Sequence, residues 1–132
     1  MEGERQSMSC FLDTHITIWL YEKRLDLLSE KAKQYIEKSD LFISPVVKLE
    51  IEYLFEIERI KDNSETICSF LEKNIDLKIE NSSFSEIIKI SLNEKWTKDP
   101  FDRIIVAHSK LKNYSLISKD KKINKNYFRT IY

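Results

Sequence analysis

The sequence predicts an α/β protein in three layers, an α/β/α fold with helices on both faces of a mainly parallel sheet. Short apolar runs, too brief for helices, alternate with longer segments of helical period, which is the pattern of strands joined by crossover helices. Several of those helical segments begin with residues suited to cap them. The 132 residues contain a single glycine, Gly3. That excludes a phosphate-cradling P-loop and a dinucleotide fingerprint, the commonest nucleotide-binding versions of this architecture.

The elements follow in order. Cys10, Phe11 and Leu12 form a short buried strand that runs directly into Asp13, Thr14 and His15, and a helix continues over Ile16 to Tyr21. Ser29 caps a second helix that reaches about Lys38 and places Ala32, Tyr35 and Ile36 on one face. Leu41 to Ile43 is the second strand. Ser44 then supplies an N-cap and Pro45 the first helical residue of a segment extending to about Ile60. A further helix spans Glu65 to Lys73. Ile75 to Ile79 alternates with period two, as a half-exposed strand does. Ser83 and Glu86 have the spacing of a capping box. Asp99 and Pro100 open the last long helix, and Tyr114–Ile117 and Phe128–Ile131 read as closing strands.

Residues 1–8 read as a flexible leader, with Met8 available as an alternative start, and residues 9–132 as one domain. No apolar stretch approaches the roughly 18 residues of a membrane span. Cys10 and Cys68 lie in apolar segments without metal-ligand spacing, which favours a reduced, cytoplasmic setting. Net charge is zero, yet residues 103–132 carry eight Lys or Arg against the single acid Asp120. Lysines around a carboxylate site could hold a phosphate backbone, with Lys119, Lys121, Lys122 and Arg103 as the candidates. An ordinary solvated Lys-rich surface explains them equally well.

Four acids stand where acids are awkward. Asp13 follows an apolar strand, Glu50 sits in an apolar helix, Asp102 lies in a first helical turn, and Asp120 follows another apolar strand. In an open α/β sheet, strand ends are where an active site gathers. Oxygen donors without a Cys/His cluster favour Mg²⁺ or Mn²⁺ over zinc. Each acid also has a plainer explanation. Asp13 is a good N-cap, and Asp99 needs no role beyond capping. Glu50 has Val46, Val47, Tyr53 and Leu54 at helical spacing, so it faces the protein body and requires a cation or a salt-bridge partner. Asp102 suits the helix dipole, and a loop Asp120 among lysines is unremarkable alone. Glu52, Glu56 and Glu58 read as surface charges. His15 and His108 read as packing or hydrogen-bonding residues, and Trp19 as a core or interface residue. An aspartyl phosphatase would need a second Asp two residues after Asp13, where His15 stands. A non-catalytic RNA- or protein-binding module remains the alternative to an enzyme.

Taken together, four segments resemble the PIN-domain family, and within it the VapC-type toxins of toxin–antitoxin pairs. The segments are Phe11 to His15, Ser44 to Glu50, Asp99 to Ala107, and Leu116 to Asp120, in the family's order over residues 9–132. The resemblance implies a PIN-like α/β/α fold and a single-strand-type RNA endonuclease with Mg²⁺ or Mn²⁺ held by Asp13, Glu50, Asp102 and Asp120. It implies Asp99, Ser118 and Thr14 as accessory residues, Ser118 standing where threonine is common. It further implies a homodimer and a cognate antitoxin whose tail enters the acidic groove.

Overall fold

The structure is a computed structural model that describes residues 8–132. Its centre is a five-stranded sheet: β1 (Met8–Leu12), β2 (Ser39–Ile43), β3 (Lys78–Ile79), β4 (Ser115–Ile117) and β5 (Thr130–Ile131), in the spatial order β3-β2-β1-β4-β5. Every pairing is parallel, with Cys10 beside Leu41 on one side and beside Ser115 on the other. Seven helices connect the strands: α1 (Thr14–Tyr21), α2 (Glu30–Lys38), α3 (Pro45–Glu56), α4 (Ser64–Ile75), α5 (Phe84–Ser91), α6 (Pro100–Lys112) and α7 (Lys121–Asn126). No helix among the described residues is long and apolar enough to cross a membrane. The leader predicted over residues 1–8 lies outside the described residues except for Met8, which opens β1 opposite Ser39.

Side-chain alternation along β1 divides the core. Phe11 and Phe42 turn to the face covered by α6, where the Phe11 ring lies 4.7 Å from that of His108. Cys10 and Leu12 turn to the other face, and all three β1 side chains are fully buried. The helices start where the sequence says they should. Ser29 accepts a hydrogen bond from the Ala32 amide at 3.1 Å, Asp99 from Phe101 at 2.9 Å, and Ser83 from Glu86 at 3.3 Å.

Several predicted boundaries move. The strand predicted over Ile75–Ile79 shrinks to Lys78–Ile79, because α4 runs on to Ile75 and ends on Asp76 in the left-handed region at φ 56°. In a chain almost without glycine, an aspartate takes that cap, as Asn113 does after α6. The helix from Pro45 stops at Glu56 rather than near Ile60. The residues after Asp120, read as loop, form α7 with Asp120 as its cap. Glu52 is also more than a surface charge: one of its oxygens accepts from the Ser64 amide at 3.0 Å and the Ser64 hydroxyl at 2.9 Å, at the start of α4.

The order β3-β2-β1-β4-β5 makes β1 the point from which the chain first builds outward through β2 and β3 and later, on the other side, through β4 and β5. Loops leaving the carboxyl ends of β1 and β4 therefore diverge and open a crevice between them, the position at which doubly wound sheets bind ligands.

Candidate functional site

One cavity of about 410 Å³ occupies this crevice, and its lining includes Asp13, Thr14, Glu50, Asp99, Asp102 and Asp120. The four predicted acids come from four separate segments. Asp13 follows β1, Glu50 lies in the second turn of α3, Asp102 in the first turn of α6, and Asp120 between β4 and α7.

Neutral donors fix most of these carboxylates. Asp13 accepts from the Ile16 amide at 3.0 Å while its own amide donates to the Ile117 carbonyl at 3.2 Å, which ties the acid to both central strands. Thr14 donates a short hydrogen bond from its hydroxyl to Glu50, which brings α1 and α3 together across the cavity. Asp120 accepts from the Lys122 amide at 2.7 Å and Ile123 at 3.2 Å. Ser118 is fully buried, accepts from the Asp120 amide at 3.1 Å, and helps hold the charge on Asp13. The capping explanation of Asp13 is thus correct, Asp120 proves to be a cap as well, and its second oxygen makes no hydrogen bond among the described residues.

Among the described residues, no Lys or Arg forms an ion pair with Asp13, Glu50, Asp99, Asp102 or Asp120. The electrostatic result is strong. Burial, followed by repulsion from Asp99, Asp120, Glu50 and Asp13, pushes the Asp102 carboxyl up to about 7. Burial raises Asp13, against the Ser118 and Ile16 hydrogen bonds, and burial raises Glu50, against the Thr14 hydrogen bond. Two shielded acids elsewhere, the buried Glu94 and the half-buried Glu80, have cations. Glu94 is 3% exposed and accepts from Lys110 at 2.7 Å and from the Trp96 indole at 2.7 Å. Glu80 meets His108 at 2.8 Å and Lys112 at 3.4 Å.

The acids of the crevice offer oxygen donors, which suit a hard divalent cation, with the His15 imidazole also on the wall. Among the described residues, no three of these groups already stand close enough to grip a common ion.

The structure places the remaining candidates unequally. Lys119 lines the cavity, whereas Lys121 and Lys122 stand exposed on α7 beyond it. Arg103 is not among the lining residues, and its guanidinium donates to the Thr97 carbonyl at 3.0 Å. His108 is fully buried between Ser44 and Glu80, each at 2.8 Å, a hydrogen-bonding residue as predicted. His15 departs from its predicted packing role: it is exposed and lines the cavity together with Trp19. The signal was present in the spacing, since residues 15 and 19 lie one helical turn apart on α1 immediately after Asp13.

A family model described as the PIN domain matches residues 10–129. No curated protein sequence matches the chain. Among solved structures, a toxin–antitoxin complex from Klebsiella pneumoniae aligns with a TM-score of 0.65 at 22% identity, over 94% of this chain and 97% of that one. VapBC2 from Rickettsia felis, bound to a DNA fragment from its promoter, aligns with a TM-score of 0.64 at 18% identity, over 89% and 92%. VapBC-1 from nontypeable Haemophilus influenzae gives 0.55 at 18% identity, over 89% and 91%. At such identities the likeness speaks for the fold.

Proposed function

The chain belongs to the PIN-domain family, and from that premise we propose that it is a Mg²⁺- or Mn²⁺-dependent endoribonuclease, the toxin of a toxin–antitoxin pair. One observation carries the reading: five carboxylates line a single strand-end crevice with no ion-pair partner among the described residues, although Asp13 is buried and Glu50 and Asp102 half-buried, while the half-buried Glu80 and the buried Glu94 have theirs. An unpaired buried charge costs several kcal/mol, on the order of a small domain's whole stability, unless a cation offsets it.

In this reading Asp13 and Asp102 hold the cation directly, and Glu50 and Asp120 complete the oxygen shell. Such a cation would supply the positive charge to activate a water and to offset charge on the scissile phosphate. The chain's own residues set the geometry. The Ile16 amide fixes Asp13, Thr14 fixes Glu50, and two α7 amides fix Asp120, so these three carboxylates are oriented before substrate arrives. Lys119, the one lysine on the cavity wall, is placed to meet a substrate phosphate. Ser118 and Asp99 act as supports, through the hydrogen bonds they make to the Asp120 and Phe101 amides. Arg103 is left out of the RNA contacts, because its guanidinium is engaged by Thr97.

The toxin assignment is supported by the family and by neighbours described as toxin–antitoxin complexes, and with it we propose a cytoplasmic protein with a cognate antitoxin. A homodimer is supported by Leu49 and Tyr53 on α3 and Ile57 at its C-cap, 60%, 47% and 43% exposed and spaced four residues apart. Light scattering of the purified chain at twice the monomer mass is the expected result.

The test of the activity is cleavage of RNA by the purified chain with Mg²⁺ or Mn²⁺. Cleavage should disappear with EDTA, in Asp13→Ala and in Asp102→Asn. Retained metal-dependent cleavage by either variant would remove the site assignment, and the absence of any cleavage by the parent would favour a non-catalytic module.

A further inference from the structure

Lys119 belongs to two cavities. It lines the carboxylate crevice, and it also lines a second hollow beside it, formed with Lys121, Asn124, Lys125 and Tyr132. Its ammonium lies 5.9 Å from the centre of the Trp19 ring on one side and 6.0 Å from that of Tyr132 on the other. Trp19 is a wall of the first cavity and Tyr132 of the second, so each cavity presents one half-buried aromatic ring with the lysine between them. Tyr132 directly follows β5, next to β4, so the second hollow continues the same strand-end edge outward from the crevice.

Acids fill the inner cavity, whereas the outer one carries three lysines and an amide. A polyanion can sit against the first only through a bridging cation, but against the second directly. Aromatic rings beside a basic track are the elements with which proteins hold a single nucleic-acid strand, one base on each ring and the backbone along the cations.

We propose that Lys119 joins two adjoining nucleotide subsites, an inner one walled by Trp19 and His15 at the carboxylates and an outer one walled by Tyr132 beside Lys121 and Lys125. A single RNA strand then leaves the carboxylate crevice across Lys119 towards β5, with one base against each ring and the phosphate between them on Lys119. Asn124 offers an amide donor and acceptor to the edge of the outer base. The inference rests on the ribonuclease reading above and extends it beyond the carboxylates.

The test is binding of a fluorescently labelled ten-nucleotide oligouridine to the full chain carrying Asp102→Asn, which prevents turnover. Adding Tyr132→Ala is expected to weaken binding about 5- to 150-fold, the range for loss of one stacked base. Tyr132→Phe, which keeps the ring and gives up only its hydrogen bond to the Leu27 carbonyl, restores the affinity. Lys119→Ala is expected to lower the slope of log affinity against log salt by about 0.7, one phosphate contact on a single strand. Phe128→Ala, at a ring 86% exposed and outside both cavities, serves as the unaffected control. If Tyr132→Ala behaves like Phe128→Ala, or if the oligonucleotide does not bind although the parent cleaves RNA, the outer subsite is overturned and the nuclease reading stands. If the parent neither cleaves nor binds RNA, the nuclease reading falls and the subsites with it.

Discussion

Replacing Asp102 by asparagine should make the metal-free protein more stable while ending its activity. In the folded chain this carboxyl is pushed from its ordinary value of 3.8 up to about 7, by burial and then by four neighbouring carboxylates. Each unit corresponds to about 1.4 kcal/mol, so the unscreened upper bound is about 4 kcal/mol. Asp102 is only half-buried, and screening by solvent reduces the figure to on the order of 1–2 kcal/mol. For a chain of this size that is a rise of roughly 3–7 °C in melting temperature. The direction with pH follows from the sign of the shift. A carboxyl raised on folding contributes stability that is full below 3.8 and lost as pH rises to about 7. Above 7 the parent therefore carries the whole penalty, and the advantage of Asp102→Asn is largest there. It shrinks towards pH 5, where the folded parent takes up the relieving proton. The assay is thermal unfolding in EDTA at pH 8 and pH 5, repeated with excess Mg²⁺ at pH 8. Metal should raise the parent by linkage and leave the variant nearly unmoved. A variant no more stable than the parent at pH 8 without metal refutes the reasoning, because Asp102 would then not be held against its neighbours.

The same proton gives a second expectation: Mn²⁺ affinity measured by calorimetry should fall by up to about tenfold per pH unit below about 7, since Asp102 must lose its proton to bind. A flat profile between those conditions and pH 5.5 would contradict it. Glu52→Ala removes both bonds to Ser64 at the start of α4 and should cost about 1–2 kcal/mol in urea unfolding. An unchanged midpoint would show that the cap contributes nothing. His108→Ala empties a fully buried site and unpairs Ser44 and Glu80, for an expected loss of about 2–4 kcal/mol. A loss below 1 kcal/mol would mean that the two helices His108 connects, α3 through Ser44 and its own α6, hold their positions without it.

Local signals account for most of what the sequence disclosed. Ser29, Ser83 and Asp99 each cap the helix they were predicted to start, because capping depends on a few neighbouring atoms. Strand ends were harder. Ile75 to Ile79 alternates correctly, yet α4 claims its first residue, because a propagating helix adds one hydrogen bond per residue fixed. The six residues of α7 carry too few apolar positions to show a period, with Ile123 alone buried. The apolar residues of α3 were visible, but not which of them face inward: Val47 and Ile51 are fully buried, while Leu49 and Tyr53 stand out. Convergence of the acids was inferable, since strand-end positions in an α/β sheet share an edge. Glu94 was not, although it is more deeply buried than Glu50, because it lies in the loop after α5 and its partner Lys110 on α6.

That contrast between acids bears on what the crevice is for. A carboxylate can be positioned by a cation or by neutral donors, and both fix its geometry. Only the first cancels its charge. Glu94 is positioned by Lys110, and Glu80 by His108 and Lys112. In the crevice, backbone amides hold Asp13 and Asp120, and hydroxyls support Asp13 and Glu50. The fold thus orients these acids and leaves their charge in place, at a cost that the raised Asp102 makes visible. Selection for stability alone would favour a lysine or an apolar side chain at such positions. A site that must receive a divalent cation requires the opposite, and the neutral anchoring of Asp13, Glu50 and Asp120 meets that requirement.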